Sequence, residues 1–457
     1  MKKVLVIRFC KIIFILCLMC GLYKGLDYII SDDVSYYTRI GFHDFYEMEN
    51  IDGIIVGPSH AYRGINATSL SEELGQEYFV LSSSSQEVVG SYYIIKEAIE
   101  KYDIKQAYVE ISPAKMIKDL EQSNTKTYII TDYLRNPLLR MEYILKVFEP
   151  DEWVNAVFRL RRNFTKIDTL SEIWEIPEKK GEDYKNFVPR EDIYASIYHG
   201  RGCWSWPLPE EPNGVMVSHD DIRFDDVSVD EIGSEQLGYL EKIIDMCKEN
   251  NVEVTVFIMP YTDLHVYKNT NYSRFSSYME SFVLEKGANW FDLNLAKKEY
   301  LPLTDEDFYD VDHLNIQGNE KVTAFLKQYL KAPEDKYFYE TLEEKREEEK
   351  IERILAVEYE KTYMNKDGET IEWFSSEDDL LKYRLTVVEE GIGDVYYKIY
   401  PVYEVGAEEP IYGEMIPYQE VEPNVIEIEL SYKQESTRLM VEVYDKETDE
   451  CIYRVKS

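Results

Sequence analysis

The longest apolar stretch lies at the amino terminus. Lys2, Lys3, Arg8 and Lys11 precede an apolar run from Ile12 to Tyr23. Counted from Val4 to Ile30, the segment is long enough to span a bilayer, with Arg8, Lys11 and Lys24 snorkelling towards the headgroups. The basic flank places that end in the cytoplasm and predicts export of the rest. No A-x-A site follows, so the pattern predicts an uncleaved signal anchor. Processing as a lipoprotein at Cys20 fits less well, because Leu18-Met19 offers no small residue.

Beyond the anchor, short apolar blocks alternate with helical spacing. Ile51 to Gly57, Tyr78 to Leu81, Ile104 to Ile111, Val252 to Met259 and Asn289 to Leu293 read as buried strands, several closed by Gly or Pro. Between them, Gln86 to Tyr102, Phe275 to Lys286 and Gln317 to Lys331 carry apolar residues at helical intervals. Strand-helix alternation predicts an α/β fold with a parallel sheet covered on both faces. The alternation stops from about Pro113 to Asn250. That stretch, which includes Arg201-Gly-Cys-Trp-Ser-Trp206, reads as an insertion over one sheet edge, the place for a lid or a substrate wall. Glu340 to Lys361 is a dense charge run, expected to be a solvated linking helix. Thereafter the period changes to two: Val395 to Val405, Val425 to Leu430 and Leu439 to Tyr444 read as half-buried strands. The expected organisation is an anchor over 1–30, an α/β unit over 31–335, and a charged linker helix with a small β-sandwich-like unit over 336–457.

Composition narrows the functions. The 457 residues carry 88 acidic against 51 basic side chains, a formal net charge of -37. Such a surface repels phosphate backbones and predicts no nucleic-acid partner; it also holds the exported part off anionic lipid, apart from any inserted segment. Thirty-nine tyrosines suit sugar-like or polymeric ligands. The six cysteines form no framework: Cys10, Cys17 and Cys20 lie in the apolar segment, and Cys203, Cys247 and Cys451 are scattered.

Histidine directs attention to the chemistry, since the chain has only six. His313 stands in Phe308-Tyr-Asp-Val-Asp-His-Leu-Asn-Ile-Gln-Gly-Asn319, just before the last predicted α/β helix. Asp310, three residues upstream, can fold back to fix the ring's tautomer while the other nitrogen faces a nucleophile. Asp312 could serve instead, or cap the following turn. The nucleophile to match is Ser59 in Ile54-Ile-Val-Gly-Pro-Ser-His-Ala-Tyr62. A serine directly after a buried strand lies at the carboxyl end of the sheet, where ligands of open α/β folds bind. At the start of a helix it also brings its own N–H towards a developing oxyanion. A metal site is not expected. Acidic residues cluster around His313, but no histidines are paired at helical spacing.

Gly57-Pro-Ser-His60 resembles the first block of the SGNH/GDSL hydrolase superfamily, and Asp310-Val-Asp-His313 with the following Leu-Asn-x-x-Gly resembles its last. The latter form is similar to membrane-anchored bacterial members related to the D-alanyl transfer protein of teichoic-acid modification and to polysaccharide O-acetyltransferases. The resemblance spans roughly residues 50 to 330. It implies a flavodoxin-like three-layer αβα core, acyl-ester chemistry and no cofactor or metal. Ser59 matches the nucleophile, Asp310 the orienter and His313 the base. It implies an acyl donor and a cell-surface polymer as substrates, with a membrane-bound acyltransferase as a further partner. The middle blocks depart from the pattern. Where the family places a glycine oxyanion donor stands Ser82-Ser-Ser-Ser-Gln86; Ser85 could present its backbone N–H and Gln86 its side-chain amide. Where the family has Gly-x-Asn-Asp stands Glu110-Ile-Ser-Pro113, which lacks the Asn donor. His60 is a further candidate substrate or supporting contact, or a plain helix-start residue. The opposing expectation, on these departures, is a non-catalytic surface protein on a vestigial core.

Overall fold

A computed structural model describes residues 2–30, 36–117, 120, 125–164, 186–190, 195–208, 216–218, 229–268, 271–310, 312–349, 354–372, 376, 379–390, 394–403, 411–431 and 438–456. Lys2–Ile30 is one helix. Its stretch Ile7–Ile29 has mean hydropathy 1.9 and is exposed from Ile7 to Leu22, so it is long and apolar enough to span a membrane or act as a signal anchor.

The five expected strands all form: β1 (Gly53–Val56), β2 (Tyr78–Val80), β3 (Gln106–Glu110), β4 (Glu253–Ile258) and β5 (Asn289–Asp292). They pair in parallel in the order 2-1-3-4-5. The strands read as mainly apolar runs, unbroken in β1 and β2, because both faces of the sheet are covered. Ile54, Val56, Ala107, Val109, Val254, Val256 and Ile258 face one core, closed by helices Val88–Lys101, Ser234–Glu249 and Tyr272–Glu285. The alternate residues Ile55, Tyr108, Phe257 and Phe291 face a second core under Ser59–Gly64, Ala67–Leu74 and Ile316–Lys331. The order reverses between β1 and β3, and in doubly wound sheets of this order the crevice above that reversal binds ligands.

The interruption is shorter than expected. Helix Ser234–Glu249 lays Leu240, Ile243, Ile244 and Cys247 into the first core, so the extra segment ends before it rather than at Asn250. The described part of that segment holds short helices, a hairpin (Ile197–Gly200 with Cys203–Ser205) and a strand Met216–Ser218. Residues 165–185, 191–194, 209–215 and 219–228 of the expected insertion lie outside the described residues.

The charge run is not one long helix. Leu342–Glu348 is helical, and Ile354–Met364 is a strand that pairs antiparallel with Leu380–Glu390. Val357 is fully buried and Tyr359 and Tyr363 follow it on the same face, a period of two that outweighs the intervening glutamates. The three strands expected near the carboxyl terminus form as Val395–Tyr403, Val425–Ser431 and Arg438–Asp445; residues 404 and 405 lie outside the described residues. Two sheets, one of six strands and one of four, share a single apolar core that includes Val357, Leu385, Ile399, Ile428 and Val441.

Candidate active site

Ser59 opens helix Ser59–Gly64 immediately above β1, after Gly57-Pro58. Glycine is needed at 57 because the chain passes close to β3: an added Cβ would meet Glu110 Cβ and Oε2 at 2.7 Å. His313 is placed from the other end of the core. Leu314 is buried in the second core, and Asn315 accepts from the N–H groups of Gln317 and Gly318, capping helix Ile316–Lys331. The Asn315 amide also donates to the carbonyls of Glu306 and Phe308, at 2.6 and 3.2 Å, pinning the loop that returns to His313. Gly318 lies against that loop; a Cβ there would meet Asp307 O at 2.3 Å. Leu-Asn-x-x-Gly is therefore a latch, and it delivers the imidazole.

The two ends meet. Ser59 Oγ is 2.7 Å from His313 Nε2. His313 Nδ1 is hydrogen-bonded to Asp310, 3.0 Å from each carboxylate oxygen, and Asp310 Oδ1 also accepts the backbone N–H of His313 at 2.8 Å. Asp312 Oδ1 comes within 2.7 Å of the same Nδ1, as an ion-pair contact rather than an aligned hydrogen bond. The sequence left Asp310 and Asp312 as alternatives; the geometry gives Asp310 the directed bond and Asp312 a second negative charge.

His60 joins this group from the other side. Its Nε2 is 3.2 Å from Asp312 Oδ2. Its Nδ1 lies 3.4 Å from Glu110 Oε1, a charge contact without hydrogen-bond alignment. Glu110 is almost fully buried, and neither carboxylate oxygen has a hydrogen-bond partner among the described residues. Burial opposes a charge on His60, but Asp312 and Glu110 outweigh it and push its pKa up to about 9. Burial likewise opposes a charge on His313; the carboxylates of Asp312 and Asp310 outweigh it and hold the ring well above the usual imidazole range. Burial would raise Asp312, yet His313 and His60 keep it well below the usual carboxylate range. For Glu110 burial dominates and raises its pKa against the pull of His60. The ligand atoms of His60, Asp312 and His313 lie within 4.8 Å of one another, a spacing a cation could share. The contacts among them account for the cluster without one.

A cavity of about 160 Å³ opens beside Ser59. Its walls come from the carboxyl ends of the strands: Pro58, Ser59 and His60 after β1, Ser85 after β2, Ser112 to Lys115 after β3, Tyr261 and His265 after β4. Burial lowers the His265 pKa to about 4. Ser85 lines the cavity with φ 49°, a left-handed backbone that turns the chain there. Gln86 does not reach it. Its carbonyl oxygen accepts from Ser83 Oγ and its amide donates to Ser91 Oγ, both at 3.0 Å, so the side chain braces the entry to helix Val88–Lys101. The expected Gln86 donor is thereby withdrawn. Ser112, in the position of the absent Asn block, accepts from the Tyr261 hydroxyl at 3.4 Å.

Two wall residues, Tyr261 and His265, carry no local signal in the sequence. Glu110, buried beside His60 and off the cavity wall, stands in the sequence only as a departure from the family block. Trp206 and Trp204, expected on a lid or wall, divide between roles. Trp204 is buried among Tyr36, Tyr37 and Tyr198. Trp206 stacks on Tyr309 at 4.4 Å, meets His313 edge-on at 5.2 Å, and carries the Arg63 guanidinium 3.8 Å above its ring. Its carbonyl accepts from Ile316 N, which fixes it to the latch.

No family model matches the chain, and no curated protein matches it. Among solved structures, a Streptococcus pneumonia chain provisionally named a platelet activating factor is similar over 70% of this chain and 98% of its own, at 11% identity and a TM-score of 0.29.

Proposed function

We propose that the chain is a membrane-anchored serine acyl-ester hydrolase or acyltransferase of the SGNH/GDSL type, acting outside the cytoplasm on esters of cell-wall or surface polymers. The observation that carries this reading is the continuous Ser59–His313–Asp310 contact between segments 254 residues apart in sequence. A nucleophile, a base and an orienter in this sequence of bonds form the constellation of serine acyl transfer.

In the proposed reaction neutral His313 takes the Ser59 hydroxyl proton at Nε2 as Oγ adds to the ester carbonyl. Asp310 holds the ring's Nδ1–H and stabilises the imidazolium that results. The backbone N–H groups of Ser59 and Ser85 are the candidate oxyanion donors; no Asn or Gln side chain lines the cavity among the described residues. The imidazolium returns its proton to the leaving alkoxide, and an acyl-Ser59 ester remains. Water or a sugar hydroxyl, deprotonated by His313, then accepts the acyl group. The resemblance of the two motif blocks supports a polymer substrate and a membrane-bound acyltransferase as partner.

A fluorophosphonate probe tests the nucleophile. It is expected to label the full-length protein and to fail on Ser59→Ala. Equal labelling of both proteins would end the proposal. The lack of an Asn or Gln donor in the described lining favours the second reading, a non-catalytic surface protein on the same core. That reading predicts no labelling of either protein.

A further inference from the structure

The amino-terminal helix is fastened to the body near its carboxyl end. Arg159 grips Asp27 through both carboxylate oxygens, Nε to Oδ1 at 3.2 Å and Nη2 to Oδ2 at 2.5 Å. One turn back along the helix, Tyr23 meets the edge of Phe158, ring centroids 6.3 Å apart. An ion pair followed by an aromatic contact is the order expected where a helix passes from headgroups into the apolar layer.

Around this junction the body exposes apolar side chains. On helix Pro137–Val147, Leu138, Met141 and Leu145 are 79%, 42% and 51% exposed, while Leu139, Tyr143, Ile144 and Val147 on the other side are buried. The helix is thus apolar on both sides, which water alone does not favour. Trp153, Val154 and Phe158 extend the patch at 36%, 48% and 49% exposure. The two parts are tied together by Arg140 Nη2 donating to Val157 O at 3.3 Å and Trp153 Nε1 donating to Phe148 O at 2.9 Å. Charge is balanced here: Arg159 is paired with Asp27 and Arg162 with Asp132, which leaves Arg135, Arg140, Lys146 and Arg161 beside Glu142, Glu149, Asp151 and Glu152, in a chain whose net charge is -37.

We propose that this face rests on the bilayer entered by the amino-terminal helix. Leu138, Met141, Leu145, Trp153 and Phe158 lie in the headgroup–acyl boundary. Continuity with the anchor, and a local charge balance in a chain that is otherwise strongly acidic, select lipid as the occupant. The consequence is mechanical: a second contact beside the helix stops the body from swivelling and holds it in one orientation over the membrane.

The test uses the full chain in nanodiscs containing phosphatidylglycerol, with and without acyl-chain-brominated phospholipid. The Trp153 contribution is read as the difference between the wild type and W153F. Brominated lipid is expected to remove most of that emission, and acrylamide to quench it less than in detergent. The exposed-face variant L138D/M141D/L145D, checked for an unchanged circular dichroism spectrum, is expected to lose both effects. Trp153 emission indifferent to bromine and open to acrylamide would overturn the proposal. So would shielding seen only in native membrane vesicles, which would assign the face to a protein. None of these readouts involves Ser59 chemistry, so failure of the enzymatic reading would leave this result standing.

Discussion

Asp310 and Asp312 reach for the same ring nitrogen, and their separate effects can be read from the pH dependence of Ser59. With two carboxylates beside it, His313 is held as the imidazolium into the alkaline range, and in that form it cannot accept the serine proton. Because its pKa is raised, the neutral base is populated only as pH increases through that raised value. Fluorophosphonate labelling is therefore expected to accelerate with pH from neutrality upward, following one proton lost. Asp312→Asn removes the nearer charge, so the inflection is expected to move towards neutral pH. His60→Gln is expected to move it the opposite way, since it takes an imidazolium from beside Asp312 and leaves that carboxylate's charge to His313 alone. Asp310→Asn removes the directed bond to Nδ1 and is expected to slow labelling by about 10²-fold or more, because the ring loses its fixed tautomer. Rates of probe incorporation across pH measure all of these; identical profiles for the wild type and Asp312→Asn would show that Asp312 carries no such influence.

At the scale of elements, the site depends on how tightly the latch after His313 is packed. Gly318→Ala would drive a Cβ to 2.3 Å from Asp307 O. We expect a loss of about 1–3 kcal/mol of stability by chemical denaturation, with slower Ser59 labelling as the His313 loop shifts. Unchanged stability would show that the loop yields freely. The Leu-Asn-x-x-Gly motif was legible in the sequence, as was most of the sheet, but its action as a latch was not: the cap offered there was Asp312, and the structure gives it to Asn315. Strands covered on both faces are mainly apolar, and the Gly57-Pro58 and Ser112-Pro113 breaks mark two of their carboxyl ends. Other features were hidden for particular reasons. Gln86 has the same local sequence whether its amide faces a substrate or bonds to Ser83 and Ser91, and only the path of the turn decides. The seven-residue helix Leu342–Glu348 and the strand from Ile354 onward share one charged composition; the strand is fixed by pairing with Leu380–Glu390, distant in sequence. Trp206 reaches His313 because its backbone joins Ile316, 110 residues on, a contact no local pattern announces.

The α/β part and the carboxyl-terminal sheets are joined by more than the chain that runs from Lys331 to Ile354. Strand Met216–Ser218, from the segment that interrupts the α/β alternation, pairs in parallel with Val357 to Tyr359 at the start of the six-stranded sheet. The pairing ties a surface excursion of one unit into the backbone ladder of the other. Close by in sequence, helix Leu342–Glu348 is held to the α/β part where the buried Lys345 ammonium donates to Asn294 O at 2.8 Å. Attachments of different kinds restrain the sheets among the described residues: the side-chain anchor at Lys345, the added strand, and a hydrogen bond between Asp305 and Tyr453. Proline cannot donate to a ladder and is tolerated poorly inside one. Val217→Pro is therefore expected to release the strand from Val357 to Tyr359 while sparing the two cores of the α/β sheet. Limited proteolysis should then cut at Met216–Ser218 faster than in the wild type, with Ser59 labelling retained because the strand supplies none of the described lining of the cavity. Loss of labelling together with faster cleavage would mean that the attachment also positions the site, and that the carboxyl-terminal sheets act on the cavity through the interrupting segment that carries Trp206.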